Sequence, residues 1–199
     1  MTITEIKPIN NKKSMVYIDE ERAFALYKGE IRRYGLEVGK EVAPDDYQEI
    51  VQEILVKRGK ARAMHLLQSM DRTENQIRTK LMDGGYPQEV IEQVIEYLKG
   101  YHYLDDFRYS SAYVRTRGKA KSIRQMQMEL QSKGISREVI RESLEEEPVD
   151  ERAAIRQWIV KKNIDVDHAQ QERIRRFYQF LLRKGFKYED IQSELKLYT

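Results

Sequence analysis

The chain has 199 residues, of which 35% are charged and 40% hydrophobic, with a formal net charge of +3 and no cysteine. The lack of cysteine excludes disulfide bonds and thiolate metal sites. No apolar run forms a secretion signal or approaches the ~18 residues that a membrane helix needs, so we expect a cytoplasmic protein with no membrane partner. The high charge favours thin helical modules over one thick core.

The first part of the chain, residues 1–43, predicts a small α+β extension. Its elements are two strand-like runs, a candidate third strand and one or two helical turns, at Ile3–Lys7, Ser14–Ile18, Arg22–Leu26 and Lys28–Tyr34. A connector helix is predicted over 44–58, because Pro44 provides a helix start and Gly59 follows its last apolar turn.

The rest of the chain contains an internal repeat of about fifty residues, present three times. Each copy has a glycine with leucine four positions before it and an apolar residue directly after it, at Gly85, Gly134 and Gly185. Apolar residues also recur eight positions before each glycine and six and ten positions after it. This spacing predicts a helix, a left-handed helix end at the glycine and a second helix. One more helix precedes each hairpin, which gives three-helix repeats over 59–102, 103–147 and 148–199.

Helix-start signals support this division. The nine helices are predicted near 60–69, 73–83, 87–99, 105–117, 121–133, 136–146, 150–162, 167–184 and 188–197. Thr73 with Gln76, and Ser122 with Gln125, have the spacing of capping boxes, and Asp150 marks the start of the third repeat. We therefore predict a mainly α protein, with three tandem three-helix repeats that form an elongated curved array behind a small N-terminal β-containing segment.

Charge is segregated along the chain. Arg108–Lys133 has seven basic residues and one acid, Arg173–Lys187 has six basic residues and no acid, and Glu138–Glu151 has seven acids. Such blocks indicate a polyanionic partner, a charged protein partner, or both. Three basic sets are candidate contacts for DNA phosphates or acidic protein groups: Arg115, Arg117, Lys119, Lys121 and Arg124; Arg173, Arg175 and Arg176; and Lys57, Arg58, Lys60 and Arg62.

The alternative for each basic set is a solvated helix surface. The first set exceeds what helix capping requires, and Lys121 and Arg124 stand at a helix start, where the helix dipole disfavours cations. The other two sets are weaker candidates, because helical spacing spreads the second around its helix and the third flanks Gly59.

No pattern in the sequence predicts catalysis, a metal site or a cofactor. Asp105 and Asp106 are adjacent, so their carboxylates do not converge on an ion, and they are better explained as an N-cap with an acid in the first turn. The histidines lack ligand spacing. Five tyrosines are expected to pack between repeats rather than to stack on bases, namely Tyr97, Tyr101, Tyr103, Tyr109 and Tyr113. Trp158 is expected to pack the first helix of the third repeat.

The stretch from Tyr103 to Ile135 resembles the RecX family of regulatory proteins. The matching residues are the Leu104-Asp105-Asp106 helix start, Tyr113-Val114-Arg115, Ile123-Arg124, Met128-Glu129-Leu130 and Lys133-Gly134-Ile135. The N-terminal strands and residues 24–40 resemble the extension of longer family members, so the resemblance covers nearly the whole chain.

This resemblance implies a non-enzymatic protein of three tandem three-helix repeats that binds the RecA recombinase. It implies binding in the groove of the RecA–DNA filament and inhibition of the ATPase, strand-exchange and coprotease activities of RecA in DNA repair and recombination. DNA, single- or double-stranded, is a further candidate partner, whereas no small-molecule substrate is expected. Two alternatives remain: a direct DNA-binding helical-repeat protein without a RecA target, and an enzyme whose site the sequence does not reveal.

Overall fold

The structure, a computed structural model, describes residues 1–166 and 170–196. Within these ranges the chain forms a three-stranded antiparallel sheet followed by a series of helices. It divides into two compact units, the first over Met1–Asp105 and the second from Asp106 onward. None of the described helices is long and apolar enough to cross a bilayer.

The N-terminal sheet contains all three predicted strands. They are β1 (Ile3–Pro8), β2 (Lys13–Ile18) and β3 (Glu21–Tyr27), each antiparallel to the next. Asp19 and Glu20 join β2 to β3 with φ values of 49° and 70°, the left-handed conformation that tight two-residue hairpins require. The predicted helical turns are α1 (Lys28–Arg33), which ends before a left-handed Gly35.

Helical backbone then runs without a break from Pro44 to Ser69. It comprises α2 (Pro44–Glu49), a π-helical stretch (Ile50–Val56) and α3 (Lys57–Ser69). The helix predicted over 44–58 therefore does not end at Gly59, which is buried inside α3. A β-carbon on Gly59 would lie 2.9 Å from Cγ2 of Val94. Glycine at this position permits close packing of two helices instead of ending one.

The first repeat and the sheet share one hydrophobic core. The repeat consists of α3, α4 (Glu74–Asp83) and α5 (Gln88–Gly100). Phe24 and Leu26 of the sheet are fully buried in the same cluster as Leu81 of α4. The N–H of Ala25 donates to the carbonyl of Gly85 over 2.9 Å, which fixes β3 on the turn after α4. The N-terminal segment is thus an integral part of the first unit.

The second unit contains two further repeats, each with its own core. The second repeat consists of α6 (Asp106–Arg117), α7 (Ile123–Ser132) and α8 (Arg137–Glu146). The third consists of α9 (Glu151–Lys161), α10 (Gln171–Arg183) and α11 (Tyr188–Glu194). Their buried clusters are Val114, Met126, Leu130, Ile135 and Ile140, and Ala154, Ile155, Ile174, Phe177, Leu181, Phe186, Ile191 and Leu195. Parts of two predicted helices, 167–169 and 197, lie outside the described residues.

The three repeat glycines end their helices in the same way. Gly85, Gly134 and Gly185 have φ values of 80°, 85° and 83°. In each turn the residue after the glycine donates its N–H to the carbonyl five positions earlier, from Tyr86 to Leu81, from Ile135 to Leu130 and from Phe186 to Leu181, over 3.2, 3.2 and 3.3 Å. These are Schellman ends, and the apolar pairs that close them are buried. The predicted left-handed helix end is confirmed in all three repeats.

The predicted helix starts are largely confirmed. Thr73 forms a full capping box with Gln76. Ser122 accepts the N–H of Gln125 over 3.1 Å, but the Gln125 side chain donates to Glu129 instead of returning to the cap, so only half of that box forms. Asp150 accepts the N–H of the third residue of α9 over 2.9 Å.

Candidate functional site

The first predicted basic set spans the end of α6, the loop after it and the start of α7, and two of its five cations pair with acidic neighbours. The Nε of Arg115 donates to Oε1 of Glu147 over 3.0 Å, which raises the pKa of Arg115 and lowers that of Glu147. Lys121 is half-buried, pairs with Glu129 and donates to the hydroxyl of Tyr113. Lys121 is therefore held within the repeat, whereas the ion pair of Arg115, whose side chain is 68% exposed, contributes little to stability.

The other three members of this set are exposed, as Arg115 is, but form no ion pair within the described residues. Arg117, Lys119 and Arg124 lie at the end of α6, in the loop and in the first turn of α7. Burial lowers the pKa of the neighbouring Lys121, and the positive charge of Arg117 lowers it further. We define Arg117, Lys119 and Arg124 as the basic loop.

Repeat 3 fixes the position of the basic loop. The hydroxyl of Ser122 donates to the carbonyl of Lys184 over 2.7 Å. The N–H of Ile123 donates to the buried carboxylate of Glu151 over 3.0 Å. Glu151 is only 6% exposed, and this burial raises the pKa of its carboxyl. The start of α7 is therefore held by hydrogen bonds to the third repeat.

The second predicted set does not form one face. The Nη2 of Arg173 donates to the carbonyl of Asn163 over 2.9 Å and so binds a backbone carbonyl just after the end of α9. Arg176 pairs with Glu172 one turn earlier on α10, an exposed contact of little energetic weight. Arg175 lines a separate groove of about 580 Å³ with Tyr178 and Tyr188. The three arginines thus have three different surroundings.

The third predicted set is mostly occupied by internal contacts of the first unit. Arg58 pairs with Glu30 and lies 4.7 Å from the ring centroid of Tyr27, so it joins α3 to the N-terminal segment. Lys60 lies 4.3 Å from the ring centroid of a tyrosine on α5. Lys57 pairs with a glutamate one turn before it in the helical segment, and Arg62 is exposed. Arg58 and Lys60 thus have structural contacts that charge counting did not predict.

A cluster of lysines and aromatic rings in repeat 3 was not predicted from the sequence. The rings of Trp158 and Phe180 meet edge to face, with centroids 5.1 Å apart. The ammonium groups of Lys161 and Lys184 lie 5.0 and 5.5 Å from the Trp158 centroid. Those of Lys162 and Lys184 lie 5.6 and 5.8 Å from the Phe180 centroid. We call these five residues the lysine–aromatic cluster.

The lysine–aromatic cluster adjoins the basic loop. The indole Nε1 of Trp158 donates over 2.7 Å to the carbonyl of Ala120, which directly follows Lys119 between α6 and α7. An open groove of about 620 Å³ runs beside this contact. Trp158 does pack against the repeat 3 core, as predicted, but it also reaches repeat 2. The adjacent pair Lys161-Lys162, one helical turn after the tryptophan, is the sequence signal that could have indicated the cluster.

The tyrosines near the end of the first unit only partly follow the packing prediction. Tyr97 and Tyr101 have ring centroids 4.9 Å apart, and Tyr101 and Tyr103 have centroids 6.1 Å apart. However, Tyr101 is 64% exposed and Tyr103 is 44% exposed. The rings of Tyr101 and Tyr103 thus contact one another at the surface, whereas Tyr97 packs against the core of the first unit. Tyr109 and Tyr113, by contrast, pack against the core of the second repeat.

Acidic and histidine side chains do not form a metal site in the part of the chain that the structure describes. Asp105 and Asp106 stand at the start of α6, in agreement with their interpretation as helix-start residues.

Comparison with known proteins identifies the family. The three repeats match models described as the first, second and third three-helix domains of RecX, over residues 60–98, 105–144 and 150–195. The chain belongs to the RecX family. The predicted resemblance is thus confirmed, as is the mainly helical fold of three tandem three-helix domains behind a small sheet.

Relatives match the RecX chain along nearly its whole length. The regulatory protein RecX of Clostridium acetobutylicum is 30% identical over 203 residues, which cover 98% of this chain and 95% of the relative. That of Caldanaerobacter subterraneus is 31% identical over 201 residues, with 99% and 100% covered. A crystal structure of regulatory protein RecX has the same fold, with a TM-score of 0.61, 22% identity and 99% of both chains covered. These names describe regulators, and none indicates catalysis.

Proposed function

We propose that this protein binds the RecA–DNA filament in the cytoplasm and inhibits the ATPase, strand-exchange and coprotease activities of RecA. Family membership supports a regulatory role, and the resemblance described above supplies RecA as the target. The observation that carries the proposal is the basic loop, whose exposed cations Arg117, Lys119 and Arg124 form no ion pair among residues 1–166 and 170–196, whereas Arg115 and Lys121 are paired with acids.

The chemistry of the basic loop suits a filament. A filament of protein on DNA offers two kinds of anion to this loop, the phosphates of the DNA and the acidic side chains of the filament protein. No acid occurs in the sequence from Thr116 to Met128, and the two acids in the groove beside Lys119 are already paired, Glu147 with Arg115 and Asp150 with Arg156. Charge complementarity of this kind speeds association and orients the partners. Because hydrogen bonds to the third repeat hold the loop, little ordering is required on binding.

The test is the single-strand-DNA-dependent ATPase activity of RecA, measured while the protein is titrated in. The variant Arg117→Glu/Arg124→Glu should need about ten times more protein for the same inhibition, since two charge-assisted contacts become repulsive. Its circular dichroism spectrum should stay unchanged, because both side chains are exposed. Arg137→Glu/Arg141→Glu on α8 is the matched control, with the same change of charge at two exposed sites. Equal inhibition by both variants would contradict the role of the loop.

The stoichiometry of inhibition separates this proposal from its main alternative. Inhibition well below one copy per RecA supports action on the filament itself. Inhibition only at amounts that coat the DNA supports a direct DNA-binding helical-repeat protein without a RecA target. No inhibition at any ratio by the folded protein would refute the proposed function.

A further inference from the structure

We propose that the lysine–aromatic cluster is a stacking site for single-stranded nucleic acid, in which Trp158 stacks on a base and Lys161, Lys162 and Lys184 contact the flanking phosphates. This inference deepens the proposed function, because it names how exposed DNA of a filament would be contacted. It is tested on the protein alone, so its failure would leave the RecA assay unaffected.

The cluster combines the two features that single-stranded nucleic acids require. Flat rings provide stacking surfaces, and positive groups beside them follow the backbone. Here two rings from α9 and α10 lie 5.1 Å apart, and three ammonium groups lie within 5.8 Å of a ring centroid. All three lysines reach the rings from the ends of the same two helices. A base that stacks on Trp158 would displace an ammonium group from the ring toward the phosphate next to it.

The tryptophan is preorganised for this role. Its single polar donor, Nε1–H, is already engaged by the carbonyl of Ala120 over 2.7 Å. That bond fixes the orientation of the indole, so binding does not have to order the ring. With no free donor, the indole contacts a base by its face or edge and not by a hydrogen bond, which makes the site tolerant of base sequence.

The surroundings favour a nucleic acid over an acidic peptide. The groove beside Trp158 is lined by Ala120, Ala153, Arg156, Gln157, Val160 and Lys161, without an acidic residue. Val160 is 79% exposed, so the surface is apolar as well as positive. An acidic peptide would use only the cations, whereas a nucleotide uses the cations for its phosphate and the apolar rings for its base. Ala120, which lines this groove, directly follows Lys119 of the basic loop in the sequence, so further phosphate contacts are close by.

The chain provides its own reporter for this site, because Trp158 is its only tryptophan. Intrinsic fluorescence is measured while an oligothymidine of about twelve nucleotides is added. Stacking should quench the emission by about half or more. The control is an abasic oligonucleotide with the same number of phosphates, whose binding is followed by the anisotropy of a terminal label. It should bind more weakly and leave the tryptophan emission nearly unchanged.

Variants separate the stacking contribution from the ionic one. Trp158→Leu should weaken binding of oligothymidine by about tenfold and leave binding of the abasic strand unchanged. Lys161→Glu/Lys162→Glu should weaken binding of both strands and reduce the salt dependence of binding. Because both lysines are exposed, this second variant remains informative if Trp158→Leu does not fold. The control Arg137→Glu/Arg141→Glu should bind both strands as the unchanged protein does.

Three outcomes would overturn the inference. One is binding of oligothymidine, seen by anisotropy, without tryptophan quenching. Another is equal quenching by the abasic strand, and the third is equal quenching by a polyglutamate peptide of similar charge. Equal quenching by the abasic strand would show that phosphates and not bases occupy the cluster, and equal quenching by polyglutamate would assign it to an acidic protein surface.

Discussion

Replacement of Gly85 by alanine should loosen the N-terminal sheet from the first repeat. Gly85 has φ +80°, and a β-carbon built on it lies 2.5 Å from the β-carbon of Ala25 and 2.8 Å from Cε of Met15. Met15 can move the end of its side chain, but the β-carbon of Ala25 cannot move without strand β3. The new methyl group must therefore push the strand away from the turn and stretch the 2.9 Å bond from the Ala25 N–H to the Gly85 carbonyl.

Two costs add at this position. A left-handed backbone costs a residue with a β-carbon about 1–2 kcal/mol. Overpacking of a filled interface costs about 1–3 kcal/mol more. We therefore expect Gly85→Ala to reduce the free energy of unfolding by about 2–5 kcal/mol. Gly39→Ala is the matched control: Gly39 has φ +85°, but its added β-carbon meets nothing within 4 Å. It should show only the backbone cost of about 1–2 kcal/mol.

The assay is urea denaturation followed by far-UV circular dichroism, combined with hydrogen exchange of the Ala25 amide. Gly85→Ala should shift the transition to lower urea than Gly39→Ala does and should speed exchange at Ala25, which loses its acceptor. If the two variants unfold at the same urea concentration and exchange at Ala25 is unchanged, the sheet is not held on the turn at Gly85, and the single core of the first unit would be refuted.

Two further predictions concern polar contacts of the same unit. Arg58→Ala should lower the free energy of unfolding by about 1–3 kcal/mol, because the partly buried Glu30 loses its cation and keeps only the N–H of Tyr27. Exposed Arg62→Ala should change it by less than about 0.5 kcal/mol; both are measured by urea denaturation. Burial and a 2.8 Å hydrogen bond to Glu89 raise the pKa of Tyr47 to about 12. Because the folded protein favours the neutral phenol, the contribution of Tyr47 to stability should be complete below about pH 10 and be lost toward pH 12. The difference in free energy of unfolding between the unchanged protein and Tyr47→Phe should therefore shrink over that range. A constant difference would contradict the assignment.

The features that the sequence predicted correctly are local. Gly85, Gly134 and Gly185 close their helices as expected, because the left-handed conformation and the apolar residues around it are fixed by neighbours in sequence. The cap at Thr73 was predictable for the same reason, since its partner is three residues away. The helix end predicted at Gly59 was wrong. In sequence, a glycine inside a helix cannot be told from one at a helix end until the helix that packs against it is known.

The candidate site depends on contacts that are distant in sequence. Charge counting could not show that Glu147 neutralises Arg115 or that Glu30 holds Arg58, because 32 and 28 residues separate the partners. The lysine–aromatic cluster was missed for a related reason. Its members come from two helices, and the group that fixes Trp158 is a backbone carbonyl of another repeat, which no residue pattern reveals.

The hydrogen bonds between the second and third repeats have a consequence for how the second unit unfolds. Three side chains each form a hydrogen bond with a backbone group of the other repeat. Ser122 bonds to the carbonyl at the end of α10, Glu151 to an N–H at the start of α7, and Trp158 to a carbonyl in the loop before α7. Neither repeat can lose its fold without leaving the partner's backbone groups unpaired, so the interface couples the two repeats strongly. They should therefore melt cooperatively, in one transition. Below that transition, the basic loop and the lysine–aromatic cluster are presented to a partner as a single rigid surface.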